Sequence, residues 1–177
     1  KDQKFIFKSG FNNSLYIFDE LKDTTYCLSC ENKELLNDIN INKLFLDQGN
    51  YLWLATNKGV FYFKDIHLDL KKYQKFKELN NANINTIQKG EGSDIWFGSD
   101  RGLGLLKGGL NGTALEYQNE SDSLSLVSND INDLDWDKKR KHLWISTSDG
   151  ISLFDSENNI FINFTETPYA NSIKEND

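Results

Sequence analysis

One eight-residue stretch occurs three times in the chain. Trp53-Leu54-Ala55-Thr56-Asn57-Lys58-Gly59-Val60 returns as Trp96-Phe97-Gly98-Ser99-Asp100-Arg101-Gly102-Leu103 and as Trp144-Ile145-Ser146-Thr147-Ser148-Asp149-Gly150-Ile151. In each copy Ser or Thr follows the Trp by three residues, and Gly follows it by six with an aliphatic after it. The Trp residues are 43 and 48 positions apart. A period of that size marks a repeat architecture, in which each unit is one supersecondary element that buries its apolar face only against a neighbour.

The residues around each Trp set the unit. Ile39 to Leu46 reads as a strand with imperfect alternation, and Asp47-Gln48-Gly49-Asn50 as a tight turn with Gly49 free to take a positive φ. Tyr51 to Ala55, Val60 to Lys64 and Lys72 to Phe76 follow as second, third and fourth strands. The same order recurs from Ile84 to Tyr117 and from Ile131 to Phe164. Ile41, Ile84 and Ile131 precede their Trp by 12, 12 and 13 residues. Four short antiparallel strands per unit, joined by polar loops, make the blade of a β-propeller. The expected architecture is therefore all-β: a partial array of four-stranded antiparallel blades. A closed four-bladed propeller is the alternative. The expected division is a partial blade of second to fourth strands at 1–35, blades at 36–79, 80–125 and 126–166, and the start of another at 167–177, where Ala170 to Ile173 reads as a further innermost strand. On this reading the chain is a piece of a longer array.

Composition narrows the function. The 13% aromatic content excludes a disordered chain, and the net charge of −7 argues against nucleic acid as a partner. No apolar run reaches membrane-spanning length. Cys27 and Cys30 have redox-type spacing, but a continuous strand from Thr24 to Cys30 would point residues three apart to opposite faces. They are expected to be plain structural thiols.

These residues resemble the two-component regulator propeller repeat. Its pattern is an aliphatic first strand, a D-x-G-N turn, L-W-I-G-T, a few polar residues and G-L. Asp47-Gln48-Gly49-Asn50, Leu52-Trp53-Leu54-Ala55-Thr56 and Gly59-Val60 match it, as do Asp94-Ile95-Trp96-Phe97-Gly98-Ser99 with Gly102-Leu103. The third match is His142-Leu143-Trp144-Ile145-Ser146-Thr147 with Gly150-Ile151. Only the second copy keeps the Gly after the Trp-Phe pair. The turn before Trp144 is basic, Asp137-Lys138-Lys139-Arg140-Lys141, and the first segment lacks the Trp. The resemblance implies the periplasmic, extracytoplasmic sensor of a hybrid two-component histidine kinase of the Bacteroidetes type. It implies an oligosaccharide or other small ligand, a homodimeric full receptor, and membrane attachment and kinase in parts outside this chain. No cofactor, metal or catalytic residue is implied for this segment. The alternatives are a propeller enzyme acting on polysaccharide and a protein-interaction propeller.

Candidate residues divide by whether they repeat. Trp53, Trp96 and Trp144 are expected to pack between sheets, burying roughly 150–250 Å² each. Gly59, Gly102 and Gly150 are expected to supply positive φ, and the Ser or Thr to bond the turn backbone. Variable polar residues at one turn, Asn57 and Lys58, Asp100 and Arg101, Ser148 and Asp149, are the expected ligand-binding positions, with Arg101 suited to clamp an anion. Trp136 stands outside the repeat and is a further candidate for ligand contact. Asp133, Asp135 and Asp137 alternate along one strand and carry the enzyme alternative.

Overall fold

A computed structural model describes residues 4–8, 14–27, 30, 38–64, 71–72, 75–120 and 124–165. Ala170 to Ile173 lies outside them. Among the described residues, fifteen strands form four antiparallel sheets with no β-strand shared between them. The first holds β1 (Lys4–Lys8), β2 (Leu15–Asp19) and β3 (Thr24–Cys27). The second holds β4 (Ile41–Leu46), β5 (Leu52–Thr56), β6 (Gly59–Phe63) and β7 (Lys71–Lys72). The third holds β8 (Ile84–Lys89), β9 (Ile95–Ser99), β10 (Gly102–Lys107) and β11 (Thr113–Tyr117). The fourth holds β12 (Ile131–Asp137), β13 (His142–Thr147), β14 (Gly150–Asp155) and β15 (Ile160–Phe164). In every sheet strands adjacent in sequence are adjacent in space, the up-and-down order of a propeller blade.

Strand alternation divides each inner sheet between two cores. Leu52, Leu54 and Phe63 face Leu15 and Ile17 of the first sheet, while Trp53, Ala55 and Val60 face Ile84, Ile87 and Phe97 of the third. The third sheet repeats this, with Trp96, Leu103 and Leu105 turned toward Ile131, Leu143, Ile145 and Phe154 of the fourth. Hence every residue of β5 and of β9 is buried, whereas β13 alternates. Trp53 meets Phe97 at 5.8 Å and Trp96 meets Phe154 at 5.4 Å between ring centroids. Trp144 departs from the expected packing. Its face of the fourth sheet has no described sheet against it, so the ring is 39% exposed and rests on Phe164 of its own sheet.

The first strands share two devices. Each carries a β-bulge just after its leading Ile, between Ile41 and Lys43, Ile84 and Thr86, and Ile131 and Asp133. The extra residue is an Asn each time, and the bulge explains the imperfect alternation in the sequence. Asn42 donates to the Ile84 carbonyl at 2.8 Å and Asn85 to the Ile131 carbonyl at 2.7 Å, tying each sheet to the next at the axis. Lys8 of the first sheet donates to the corresponding Ile41 carbonyl.

The turn after each Trp strand is latched by its hydroxyl. Thr56 Oγ1 donates to the Gly59 carbonyl at 2.6 Å and accepts from Lys58 N at 3.1 Å; Ser99 and Thr147 repeat both bonds. Thr56 is fully buried. Thr56→Val keeps the shape but strands a carbonyl and an N–H, and is expected to cost about 1–3 kcal/mol in urea unfolding. A loss no larger than that of an exposed Thr→Val change would show that the latch is dispensable.

Three local expectations are corrected. The left-handed residue of the Asp47–Asn50 turn is Asn50 (φ 61), not Gly49, because the Asp47 carboxylate already holds Gly49 N and Tyr51 N. The described part of the fourth strand of the second sheet is Lys71–Lys72, and Phe76 instead plugs the next core, 2% exposed and 5.4 Å from Phe97. Cys27 and Cys30 are joined in a disulfide with their Cα atoms 5.3 Å apart, since β3 ends at Cys27 and the facing argument for a continuous strand no longer applies.

Candidate functional site

The turns singled out in the sequence lie at one end of the strands. There they close each sheet onto the entry to its own first strand. Asn57 N, Asp100 N and Ser148 N donate to the carbonyls of Asn40, Asn83 and Asp130 at 3.0, 3.1 and 3.0 Å. The side chains complete the closure: Asn57 Oδ1 accepts from Asn40 N at 2.8 Å, Asp100 Oδ1 from Asn83 N at 3.0 Å, and Ser148 Oγ lies 3.1 Å from Ser128 Oγ. Three of the six residues are thus engaged within the blade. Lys58, Arg101 and Asp149 remain as exposed side chains of that rim.

Trp136 is not with them. Trp136 pairs with Leu143, at the far end of β12 from Ile131, which pairs with Thr147 beside the turn. Five residues of strand separate the two ends by ~16 Å. In the same register the other two sheets carry Leu46, opposite Leu52, and Lys89, opposite Ile95. Trp136 is half-buried, with one part against the core between the third and fourth sheets. It also lines a cavity of about 450 Å³ whose other walls are Gln48, Gln88, Lys89, Glu91, Lys138 and Lys141. A smaller cavity of about 140 Å³ between the third and fourth sheets shares Trp136 and Glu91 with it. A third, of about 160 Å³, lies at the same end between the second and third sheets, under Asp47, Tyr51, Asp94 and Leu110.

The large cavity gathers residues from three sheets. Gln48 comes from the first turn of the second sheet, Gln88, Lys89 and Glu91 from the third, and Trp136, Lys138 and Lys141 from the fourth. Lys141 Nζ bridges Glu91 at 3.5 Å and Glu157 at 3.1 Å, pinning the turns of adjacent sheets together. The bond to Glu157 and the charge of Glu91 hold its pKa above the usual lysine value. Lys89 and Lys138 have no ion pair among the described residues. An aromatic face flanked by amides and free ammoniums is a surface for a polar ring compound: apolar C–H faces stack on indole while the rim groups hydrogen-bond. The basic turn and the non-repeating Trp were both visible in the sequence. What was not visible is that they share a cavity with Gln48 and Lys89.

At the axis, Lys43, Thr86 and Asp133 hold the same register in three sheets. Lys43 Nζ donates to Thr86 Oγ1 at 2.9 Å and to Asp133 Oδ1 at 3.0 Å, and Thr86 Oγ1 donates to Asp133 Oδ1 at 2.8 Å. Partial loss of water pushes the Asp133 carboxyl up, but the bonds from Thr86 and Lys43 outweigh this and its pKa lies below the usual value. Asp137 is lowered as well, chiefly by the Arg140 side chain, which bonds it at 2.9 Å. Neither carboxyl is tuned as a general acid, which needs a raised pKa. Among the described residues no three His, Cys, Asp or Glu side chains gather as metal ligands.

The sign of the Asp133 shift fixes a pH dependence. A folded-state value below the unfolded ~3.9 contributes stability that is fully present above that pH and is lost as pH falls through the folded value. The stability gap between wild type and Asp133→Asn is therefore expected to be largest near neutrality and to close as pH drops below ~4. Urea unfolding at stepped pH measures it, and a gap that widened in acid would contradict the network.

No family model matches the chain, and no curated protein matches it. Solved structures do. The extracellular domain of a hybrid two-component system from Bacteroides thetaiotaomicron matches 90% of this chain at 16% identity and a TM-score of 0.60, over 22% of its own length. PorZ, a surface component of the type-IX secretion system of Porphyromonas gingivalis, matches 90% at 18% identity and 0.58, over 27% of its length. Catalytically inactive virginiamycin B lyase from Staphylococcus aureus with quinupristin matches 96% at 13% identity and 0.56, over 61% of its length. The chain thus spans less than two thirds of each. What it shares with them is the fold: an all-β array of antiparallel propeller-type sheets.

Proposed function

We propose that this chain is a ligand-sensing segment of a receptor propeller, of the kind that forms the extracytoplasmic part of hybrid two-component histidine kinases, and that its ligand is an oligosaccharide. The carrying observation is the repeated Trp, Ser/Thr and Gly motif set on the fold of the Bacteroides extracellular domain. Two further features support it. The Cys27–Cys30 disulfide suits an oxidising compartment outside the cytoplasm. The cavity beside Trp136 offers a stacking ring with the amides of Gln88 on a strand and Gln48 on a turn beside it, the form that sugar recognition takes. Binding there, across three sheets, favours one arrangement of the array over another, and a differential affinity of a few kcal/mol is enough to switch a receptor. Attachment to the membrane, dimerisation and the kinase belong to other parts of such a receptor.

A thermal-shift screen of the chain against oligosaccharides tests this reading. Ligand at 100 times its Kd stabilises by about 2.7 kcal/mol, a rise of several degrees. The expected result is a shift with a restricted group of glycans and, by chromatography, no turnover of them. Cleavage of the glycan would replace the sensor with an enzyme, and no shift with any glycan would remove the oligosaccharide.

A further inference from the structure

We infer that the Trp136 cavity is selective for an anionic sugar, one whose carboxylate or sulfate is held by Lys89 and Lys138 while its ring stacks on the indole. This rests on the oligosaccharide reading above and adds the charge of the ligand to it.

Three lysines and one glutamate line the cavity. Lys141 is shared between Glu91 and Glu157, a trio with one carboxylate charge in excess, so it offers no free cation to a ligand. Lys89 and Lys138 are not shared in this way, and they belong to different sheets. Two uncompensated ammoniums beside one aromatic ring stand out in a chain whose net charge is −7. The field of the whole molecule repels an anion, so attraction must come from these two groups at short range and must weaken with salt.

The register sharpens the point. Where Trp136 sits, the third sheet presents Lys89 in the equivalent place, so neighbouring first strands offer a ring and a cation side by side. The turn after Trp136 adds Lys138, while the acid of that turn, Asp137, is occupied by Arg140 and by the backbone N–H groups of Lys139 and Arg140. Repeat-bearing turns would not need this basic sequence for closure. The corresponding turn of the second sheet uses Asp47 to hold Gly49, Tyr51 and Trp53 with no lysine. Ammoniums act as point charges and donate to carboxylate or sulfate oxygens alike, unlike the planar fork of arginine. The opposite rim fits an anion less well: Arg101 is an exposed turn residue directly after the carboxylate of Asp100.

Calorimetric titration of the whole chain with three probes of equal length tests the inference: an oligogalacturonate, a sulfated galactan oligosaccharide and a neutral galactan oligosaccharide. At least one anionic probe is expected to bind ten-fold or more tighter than the neutral one at low salt, and the preference to shrink at high salt. The two anionic arms tell carboxylate from sulfate. The double variant Lys89→Gln/Lys138→Gln, with unchanged circular dichroism, is expected to lose the preference while keeping any neutral binding. Lys77→Gln, an exposed charge change elsewhere, is expected to keep it. Equal binding of all three probes, persistence of the preference in the double variant, or its loss in Arg101→Gln would overturn the anionic inference and leave the sensor reading standing. No binding of any probe, with no shift in the wider glycan screen, would remove both.

Discussion

Trp96→Ala is expected to lower the unfolding free energy by about 3–5 kcal/mol, and Trp144→Ala by only about 1–2 kcal/mol, the worth of a half-covered ring on an aromatic neighbour. The two residues hold the same place in the repeat, so sequence alone assigns them the same cost. The structure separates them. Trp96 is 2% exposed and wedged between the third and fourth sheets, against Phe154 at 5.4 Å and Tyr117 at 6.0 Å. Its removal opens a cavity lined by residues fixed in two sheets, which cannot collapse without shifting backbone. Trp144 loses contact with Phe164 and little else. A stacked array is stabilised by nearest-neighbour interfaces, so Trp96→Ala is also expected to broaden the transition, the fourth sheet releasing before the rest. Urea unfolding followed by far-UV circular dichroism measures both effects. Equal losses for the two variants would mean that the Trp96 face is not sealed by the fourth sheet.

The same contrast shows how far sequence carries. A motif read at three positions predicts sheet, strand order and turn chemistry, because these are local: alternation, a hydroxyl three residues after the Trp, a glycine six after it. What neighbours do is not local. Nothing in Trp144-Ile145-Ser146-Thr147 says that its face has no described sheet against it, and nothing in Ile41-Asn42-Lys43 says that the Asn is a bulge reaching the next blade's carbonyl. The Cys27–Cys30 disulfide is hidden from the sequence for the same reason: it closes only because the strand ends at Cys27. Phe76 ends a stretch whose alternation reads as a fourth strand, yet it plugs the next core from a loop. For the candidate site the sequence reading found one wall only. Trp136 and the basic turn deviate from the repeat and so are legible in the sequence, whereas Gln48, Gln88 and Lys89 belong to other repeats and join them only once the sheets are arrayed. The turn residues Asn57, Asp100 and Ser148 looked variable and therefore free. They vary because a side-chain amide, a carboxylate and a hydroxyl can each make the closing bond.

Gly102→Ala is expected to cost about 2–4 kcal/mol, well beyond the usual penalty for filling a turn glycine. Two effects combine. Gly102 has φ +124, outside the left-handed helical region that Asn or Asp tolerate, so no L residue rescues it. A Cβ there would also stand 2.5 Å from the Tyr117 carbonyl oxygen, which belongs to the paired strand β11 and cannot swing aside as a side chain would. Gly150 repeats the arrangement, with φ +143 and the Phe164 carbonyl oxygen at 2.4 Å. Gly92 supplies the contrast: its φ is +55 and a Cβ would meet nothing within 4 Å. Gly92→Ala should therefore cost about 1–2 kcal/mol, the left-handed penalty alone, and Gly92→Asn less still, whereas Gly102→Asn should be as damaging as Gly102→Ala. Equilibrium unfolding of the four variants decides it, and rescue at position 102 by Asn would contradict both the φ constraint and the Cβ contact with Tyr117. Gly150→Ala should fall below Gly102→Ala, because β15 can shift toward the face of the fourth sheet that has no described sheet against it, while β11 is held by Glu116, whose carboxylate accepts the N–H groups of Lys77, Glu78 and Leu79.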